Sequence, residues 1–98
     1  MSLQRKLVLT KGFKKSYKKF TRNNQVLVDS IANALKKLQR DAFDSSLKTH
    51  KLSGKLAVFF SCSCGYDCRI IFTIEENLSN PGIEEIVLFN IGSHDNVY

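Results

Sequence analysis

The sequence predicts an α+β domain in which an antiparallel helical hairpin is packed on one face of a mostly antiparallel sheet, with elements in the order β-α-α-β-β-β. Three observations predict it. The chain has 98 residues, enough for one modest hydrophobic core and too few for two. Apolar residues recur at helical spacing through most of the first half. From Leu56 onward the period changes to the two-residue alternation of strands. Residues 1–98 are therefore expected to form a single domain.

Taken in order, "LVLT" (residues 7–10) is short, apolar and partly β-branched, and reads as a first strand. In "FKKSYKKF", Phe13, Tyr17 and Phe20 fall at i, i+4 and i+7, with Lys14, Lys15, Lys18 and Lys19 between them. That spacing gives one aromatic stripe on a lysine-covered helix. "TRNN" interrupts the pattern. From about Gln25, residues Leu27, Ile31, Ala34, Leu35, Leu38 and Ala42 recur at helical spacing and predict a second helix. After the polar stretch "DSSLKTHKLSGK", Leu56, Val58, Phe60 and Cys62 alternate, Gly65 marks a turn, and Cys68, Ile70, Phe72 and Ile74 alternate again. These even positions are expected to face the helices, which places Asp67 and Arg69 together on the opposite face. Asn-Pro-Gly in "NLSNPG" signals a type II turn before the next strand, "EEIVLFNI". A short C-terminal segment, "GSHDNVY", follows; such tails usually fray unless something holds them.

Charge is divided along the chain. Residues 1–55 carry 14 Lys and Arg against Asp29, Asp41 and Asp44, a balance of +11, whereas residues 56–98 carry a balance of −5 with Arg69 as their single cation. A basic half of this density attracts polyanions such as nucleic acid, although lysine runs on helices also serve simply as solvated faces. Cys62, Cys64 and Cys68 lie in "SCSCGYDC". Structural zinc takes four ligands, and neither His50 nor His94 is a local fourth, so no metal and no cofactor is expected. With three cysteines and no signal-peptide core, free and buried thiols are expected instead of a disulfide. No apolar run approaches a membrane span, which gives no membrane partner and a cytoplasmic location as the expectation.

The order of elements, the "HKLSGKL" entry into the sheet, the "YDCRIIF" strand and the terminal "IGSHDNVY" together resemble the RelE/ParE toxin superfamily, specifically the mRNA-interferase branch near RelE and YafQ. The resemblance spans nearly the whole chain and implies a small RelE-like fold. It also implies the toxin of a type II toxin-antitoxin pair: a metal-independent endoribonuclease that cuts messenger RNA in the ribosomal A site and is silenced by a cognate antitoxin protein. Carried onto this chain, His50 matches a position acting in proton transfer, Asp67 and Arg69 match the acid and the phosphate-binding arginine, His94 matches the general acid, and Tyr98 matches the aromatic that closes the site. Lys14, Lys15, Lys18, Lys19, Lys51 and Lys55 are the expected contacts to mRNA and the ribosome.

The chemistry is coherent with these residue types. Cutting RNA through its own 2′-OH requires one group to accept a proton and another to give one to the leaving 5′-oxygen, work suited to two histidines. The phosphorane that forms carries added negative charge, which a planar arginine fork stabilises. Arg69 is the sole Lys or Arg of the last 43 residues, which hints at an assigned task. Its structural alternative is an ion pair with Asp67 on the exposed face, worth about 0.2–1 kcal/mol. Two other functions stay open at this level: a ParE-like inhibitor of DNA gyrase, which has no need of the His50, Asp67, Arg69, His94 set, and a non-catalytic basic RNA-binding domain whose histidines are incidental.

Overall fold

In the computed structural model, which describes residues 4–98, the chain runs β1 (Gln4–Leu9), α1 (Lys11–Phe20), α2 (Gln25–Arg40), β2 (His50–Lys51), β3 (Phe60–Gly65), β4 (Cys68–Glu76), β5 (Ile83–Gly92) and α3 (His94–Val97). The strands form one sheet in the order β1-β5-β4-β3-β2. Only β1 and β5 are parallel among the described pairs. The predicted order of elements is present, with a two-residue strand at one edge and a one-turn terminal helix added to it.

Polar residues at the junctions fix where the helices begin. Thr10 caps α1: its Oγ1 accepts from the Phe13 N–H at 3.1 Å and donates to the Leu88 carbonyl at 2.8 Å, which also ties the helix start to β5. Asn24 Oδ1 caps α2 by accepting from the Leu27 N–H at 3.1 Å, after Asn23 has turned the chain with a φ of 56°. Both helices lie on the same face of the sheet, α1 against β5 and α2 against β3 and β1. The aromatic stripe of α1 meets the core through Phe13, with Tyr17 and Phe20 packed beside it. Ile31, Ala34 and Leu38 of α2 close over Cys62, Ile70, Phe72, Ile86 and Leu88. Each large side chain so buried contributes roughly 1.5–3 kcal/mol relative to exposure.

Four expectations need correction. Leu56 and Val58 do not face the helices; they are 40% and 68% exposed, because Ser53 and Gly54 start a 3-10 turn whose carbonyls bond the Leu56 and Ala57 N–H groups. The strand therefore begins only at Phe60. Helix α2 ends at Arg40, where Asp41 turns extended at φ −158°, and Ala42 reaches the core from beyond the helix. Cys64 and Cys68 are joined in a disulfide with a Cα–Cα distance of 5.0 Å, so Cys62 alone is a free thiol. The β3–β4 ladder brings Gly65 opposite Cys68, and this close pairing is what places the two sulfurs together. Asp67 occupies the intervening turn at φ 48° instead of a strand position, although it lines the same cleft as Arg69.

A bulge in β5 sets the open face. Phe72 pairs with Leu88 while Ile71 pairs with Asn90, so Phe89 is the extra residue. Beyond it Ile91 returns to the core, and Asn90 and Gly92 join Ile71 and Arg69 on the side away from the helices.

Candidate active site

Strand register assembles the site on that open face. One row across the sheet is His50, Ser61, Ile71 and Asn90; the next is Ser63, Arg69 and Gly92. Gly92 offers no side chain and Ser63 only a small one, so the half-buried Arg69 has room between them. Its Nη1 donates to the Cys68 carbonyl at 3.0 Å. Among the described residues the ion pairs are Arg5–Glu84 and His94–Asp95, so the Asp67–Arg69 pair that was the structural alternative for Arg69 is not formed.

The C-terminal segment folds back over these rows. Asp67 Oδ1 accepts from the His94 N–H at 3.1 Å, which satisfies the first donor of α3 from a turn on the other side of β4. The Tyr98 hydroxyl is hydrogen-bonded to the Ser61 hydroxyl, and the His94 and Tyr98 rings meet edge to face at 4.7 Å between centroids. With α3 laid on β4 and β5, Ser61 is 0% exposed and Ile71 6%, although both lie on the face that carries no long helix. The tail is ordered because it covers this corner of the sheet.

His50 is exposed on edge strand β2, and its Nδ1 lies 3.1 Å from the Lys48 carbonyl. A carbonyl only accepts, so Nδ1 carries the hydrogen and Nε2 of the neutral ring keeps its lone pair free to take a proton. His94 lies on α3, and its ring nitrogen has a carboxylate neighbour. Its Nδ1 lies 3.6 Å from Asp95 Oδ1, both side chains being exposed.

The basic residues divide. Lys14, Lys15, Lys18 and Lys19 are exposed on α1. Lys19 also lines a cleft with Asn90, Ile91 and Gly92, so the end of the basic helix abuts the strand that leads to His94. Lys51 and Lys55 are exposed as well, but Lys51 pairs with Phe60 and so lies on the opposite side of the sheet from His50. Lys48, which the sequence reading passed over, instead lines a cleft of about 570 Å³ with Ser63, Gly65, Tyr66, Asp67 and Arg69. Ser63 and Tyr66 line this cleft and Ser61 bonds Tyr98; their only sequence signal was alternation within β3 and proximity to a turn.

Cys62 is not part of this chemistry. Burial pushes its thiol up to about 12, with a backbone contact at Ile70 and the Arg69 charge opposing the rise only weakly. No helix among the described residues is long and apolar enough to cross a membrane.

Comparison with known proteins converges on one family. No curated protein sequence matches the chain. Among solved structures, a YoeB/ParE toxin from Agrobacterium tumefaciens superposes with a TM-score of 0.74 at 20% identity, covering 91% of this chain and 98% of that one. YafQ from E. coli gives 0.73 at 12% identity, covering 97% and 99%. The toxin fold of the E. coli DinJ–YafQ toxin-antitoxin complex gives 0.72 at 13% identity, covering 98% and 99%. Identities this low establish the fold. The family model for the YafQ bacterial toxin of type II toxin-antitoxin systems matches residues 5–98, and the chain belongs to that family.

Proposed function

We propose that this toxin is an endoribonuclease that cleaves messenger RNA in the ribosomal A site, with protein side chains as acid and base. His50 Nε2 accepts the proton of the 2′-OH as that oxygen attacks the adjacent phosphorus. His94 gives a proton to the departing 5′-oxygen, leaving a 2′,3′-cyclic phosphate and a 5′-hydroxyl. Arg69 stabilises the charge that builds on the phosphorane oxygens. Asp67 acts as a positioning residue through its bond to the His94 backbone, and Tyr98 holds the tail while presenting an aromatic edge beside the reacting phosphate. The observation that carries this reading is the folding of the C-terminal segment onto the His50–Ser61 row, which brings both histidines and Arg69 to one corner of the open face.

The α1 lysines and Lys48 suit contact with mRNA and ribosomal RNA, and Lys51 and Lys55 extend the basic surface at the sheet edge. A cognate antitoxin is the expected protein partner, as in the E. coli DinJ–YafQ complex; a flexible acidic segment fits the charge of the helices. The cytoplasm, where translating ribosomes are, is the expected place of action. Inducing the chain in bacteria and mapping mRNA 5′ ends by primer extension tests the proposal. Breaks in register with codons support it. Intact messenger together with inhibited DNA supercoiling would replace it with the gyrase reading.

A further inference from the structure

We propose that the cleft beside Tyr66 is a second nucleotide subsite, in which one base of a single RNA strand stacks on the Tyr66 ring and its phosphate lies between Lys48 and Arg69. The proposal rests on the ribonuclease reading above for the identity of the strand, and on separate geometry for the subsite. Tyr66 is 100% exposed at the tip of the β3–β4 hairpin. A large ring held entirely in water supports no core, so its contribution to folding is negligible and its face is free for a ligand.

The tip is also held in place. Gly65 pairs with Cys68 in the ladder, Cys64 is bonded to Cys68, and Asp67 is tied to the His94 N–H. Gly65 itself admits no side chain: its φ is 135°, and a Cβ there would lie 2.7 Å from Ser30 Oγ. A ring presented on so constrained a turn loses little freedom when a base stacks on it.

Charge and size fit the same ligand. The cleft of about 570 Å³ lies within the roughly 300–1,000 Å³ usual for small-ligand sites. Two of its six lining residues are cations, and among the described residues neither Lys48 nor Arg69 is in an ion pair. Its one acid, Asp67, has an oxygen engaged by the His94 N–H. Along β3 the order is Ser61, where Tyr98 is anchored, then Ser63 beside Arg69, then the tip bearing Tyr66. Tyr66 lies five residues beyond Ser61, a span on the order of 16 Å along the chain, with Ser63 and its partner Arg69 between them. One strand of RNA can therefore place successive bases toward Tyr98 and Tyr66 while the intervening phosphate meets Arg69.

The test uses a labelled single-stranded RNA oligonucleotide that is 2′-O-methylated throughout and so cannot be cut. Wild-type protein should bind it, Tyr66→Ala should weaken binding about tenfold, and Tyr66→Phe should restore it, since a base stacks on either ring. Lys48→Gln should lower the slope of log affinity against log salt by about 0.7, the value of one lost phosphate contact on a single strand. Thermal unfolding of the Tyr66 variants should match wild type. No binding by wild type, or equal affinity of wild type and Tyr66→Ala, overturns the subsite. Cleavage of messenger on programmed ribosomes by the same preparations reports the parent reading separately. Protein that binds the oligonucleotide through Tyr66 but leaves messenger intact keeps the subsite and removes the ribonuclease. Protein that cuts messenger with Tyr66→Ala indistinguishable in binding does the reverse.

Discussion

Strand β4 has an arginine at one end and two glutamates at the other, roughly 20 Å apart, and the two ends treat charge in opposite ways. At the acidic end Glu75 faces Glu85 and Glu76 faces Glu84 across the β4–β5 ladder, an arrangement that is destabilising by itself. The surroundings offset it. Arg5 Nε bonds Glu84 Oε1 at 3.0 Å, Asn77 Nδ2 donates to Glu85 at 3.3 Å, and Thr73 Oγ1 donates to Glu75 at 2.6 Å. Arg5 also reaches the Arg40 carbonyl at 2.8 Å, so its guanidinium is committed to joining β5 with the end of α2. Arg69 faces a serine and a glycine, and among the described residues its side chain bonds only a neighbouring carbonyl. Arg5 is paired with a carboxylate, and Arg69, which the proposed mechanism sets against a phosphate, has no carboxylate partner among the described residues.

The sharpest way to break this comparison is at the site end. His94→Ala should lower the single-turnover rate of messenger cleavage on programmed ribosomes by about 10²–10⁴-fold, the range for loss of a general acid, while binding survives. A wild-type rate in that variant leaves the terminal histidine with only a structural part. Arg69→Ala should lower the rate by a smaller factor, about 10²-fold, and should weaken binding as well, because an arginine attracts the ground-state phosphate as well as the transition state. Binding and rate measured on both variants separate proton transfer from charge stabilisation.

How far the sequence foretold these ends differs by kind of signal. Periodicity located α1, α2, β4 and β5, because one buried face at a fixed spacing survives any detail of packing. It failed at Leu56 and Val58, where alternation continued through a stretch whose backbone bonds are made locally by a 3-10 turn. At Asp67 counting by twos ignored the hairpin turn; the residue sits in that turn, shares a cleft with Arg69 and ties down the tail through the His94 N–H. The resemblance singled out His50, Arg69, His94 and Tyr98, whereas the placement of the tail over the sheet depends on facts no spacing reveals: the bulge at Phe89 and the Ser61–Tyr98 bond. The cysteines were misread for a different reason. Composition speaks to compartment, whereas the Gly65–Cys68 pairing that brings Cys64 and Cys68 together is a matter of register.

A smaller effect is expected from the helix beside the site. Replacing Lys14, Lys15, Lys18 and Lys19 with glutamine should weaken ribosome binding and flatten its salt dependence, since counterion release scales with the phosphates contacted. Circular dichroism should be unchanged, because the aromatic stripe and not the lysines holds α1 on β5. An unaltered salt slope would assign these lysines to solvation alone. Cys62 supplies a control within the core. With its thiol held at about 12, it should resist alkylation by iodoacetamide at pH 8 in the folded protein. The sign of the linkage follows: the folded state keeps the proton more tightly than the unfolded one, so this group's contribution to stability is complete below pH 9 and is lost as pH rises toward 12.

The least change in activity belongs to the acidic end, and it is there that the comparison is most exposed. Arg5→Ala removes the partner of Glu84 and the link to the Arg40 carbonyl, and leaves Glu84 opposite Glu76 without compensation. The Arg5 and Glu84 side chains are 21% and 25% exposed, so solvent screens part of the pair and the cost should be about 1–2 kcal/mol of stability. Adding Glu84→Gln should recover some of that loss, because it removes one side of the like-charge contact along with the unpaired acid. Cleavage by the folded fraction should match wild type in both variants. Urea unfolding and single-turnover cleavage, measured on the same samples, place Arg5 and Arg69 on two axes: Arg5 should move stability and not rate, and Arg69 rate and not stability. If Arg5→Ala instead lowered the rate of fully folded protein, the two ends of β4 would be coupled through the sheet, and the separation of structural from ligand-directed charge would fail.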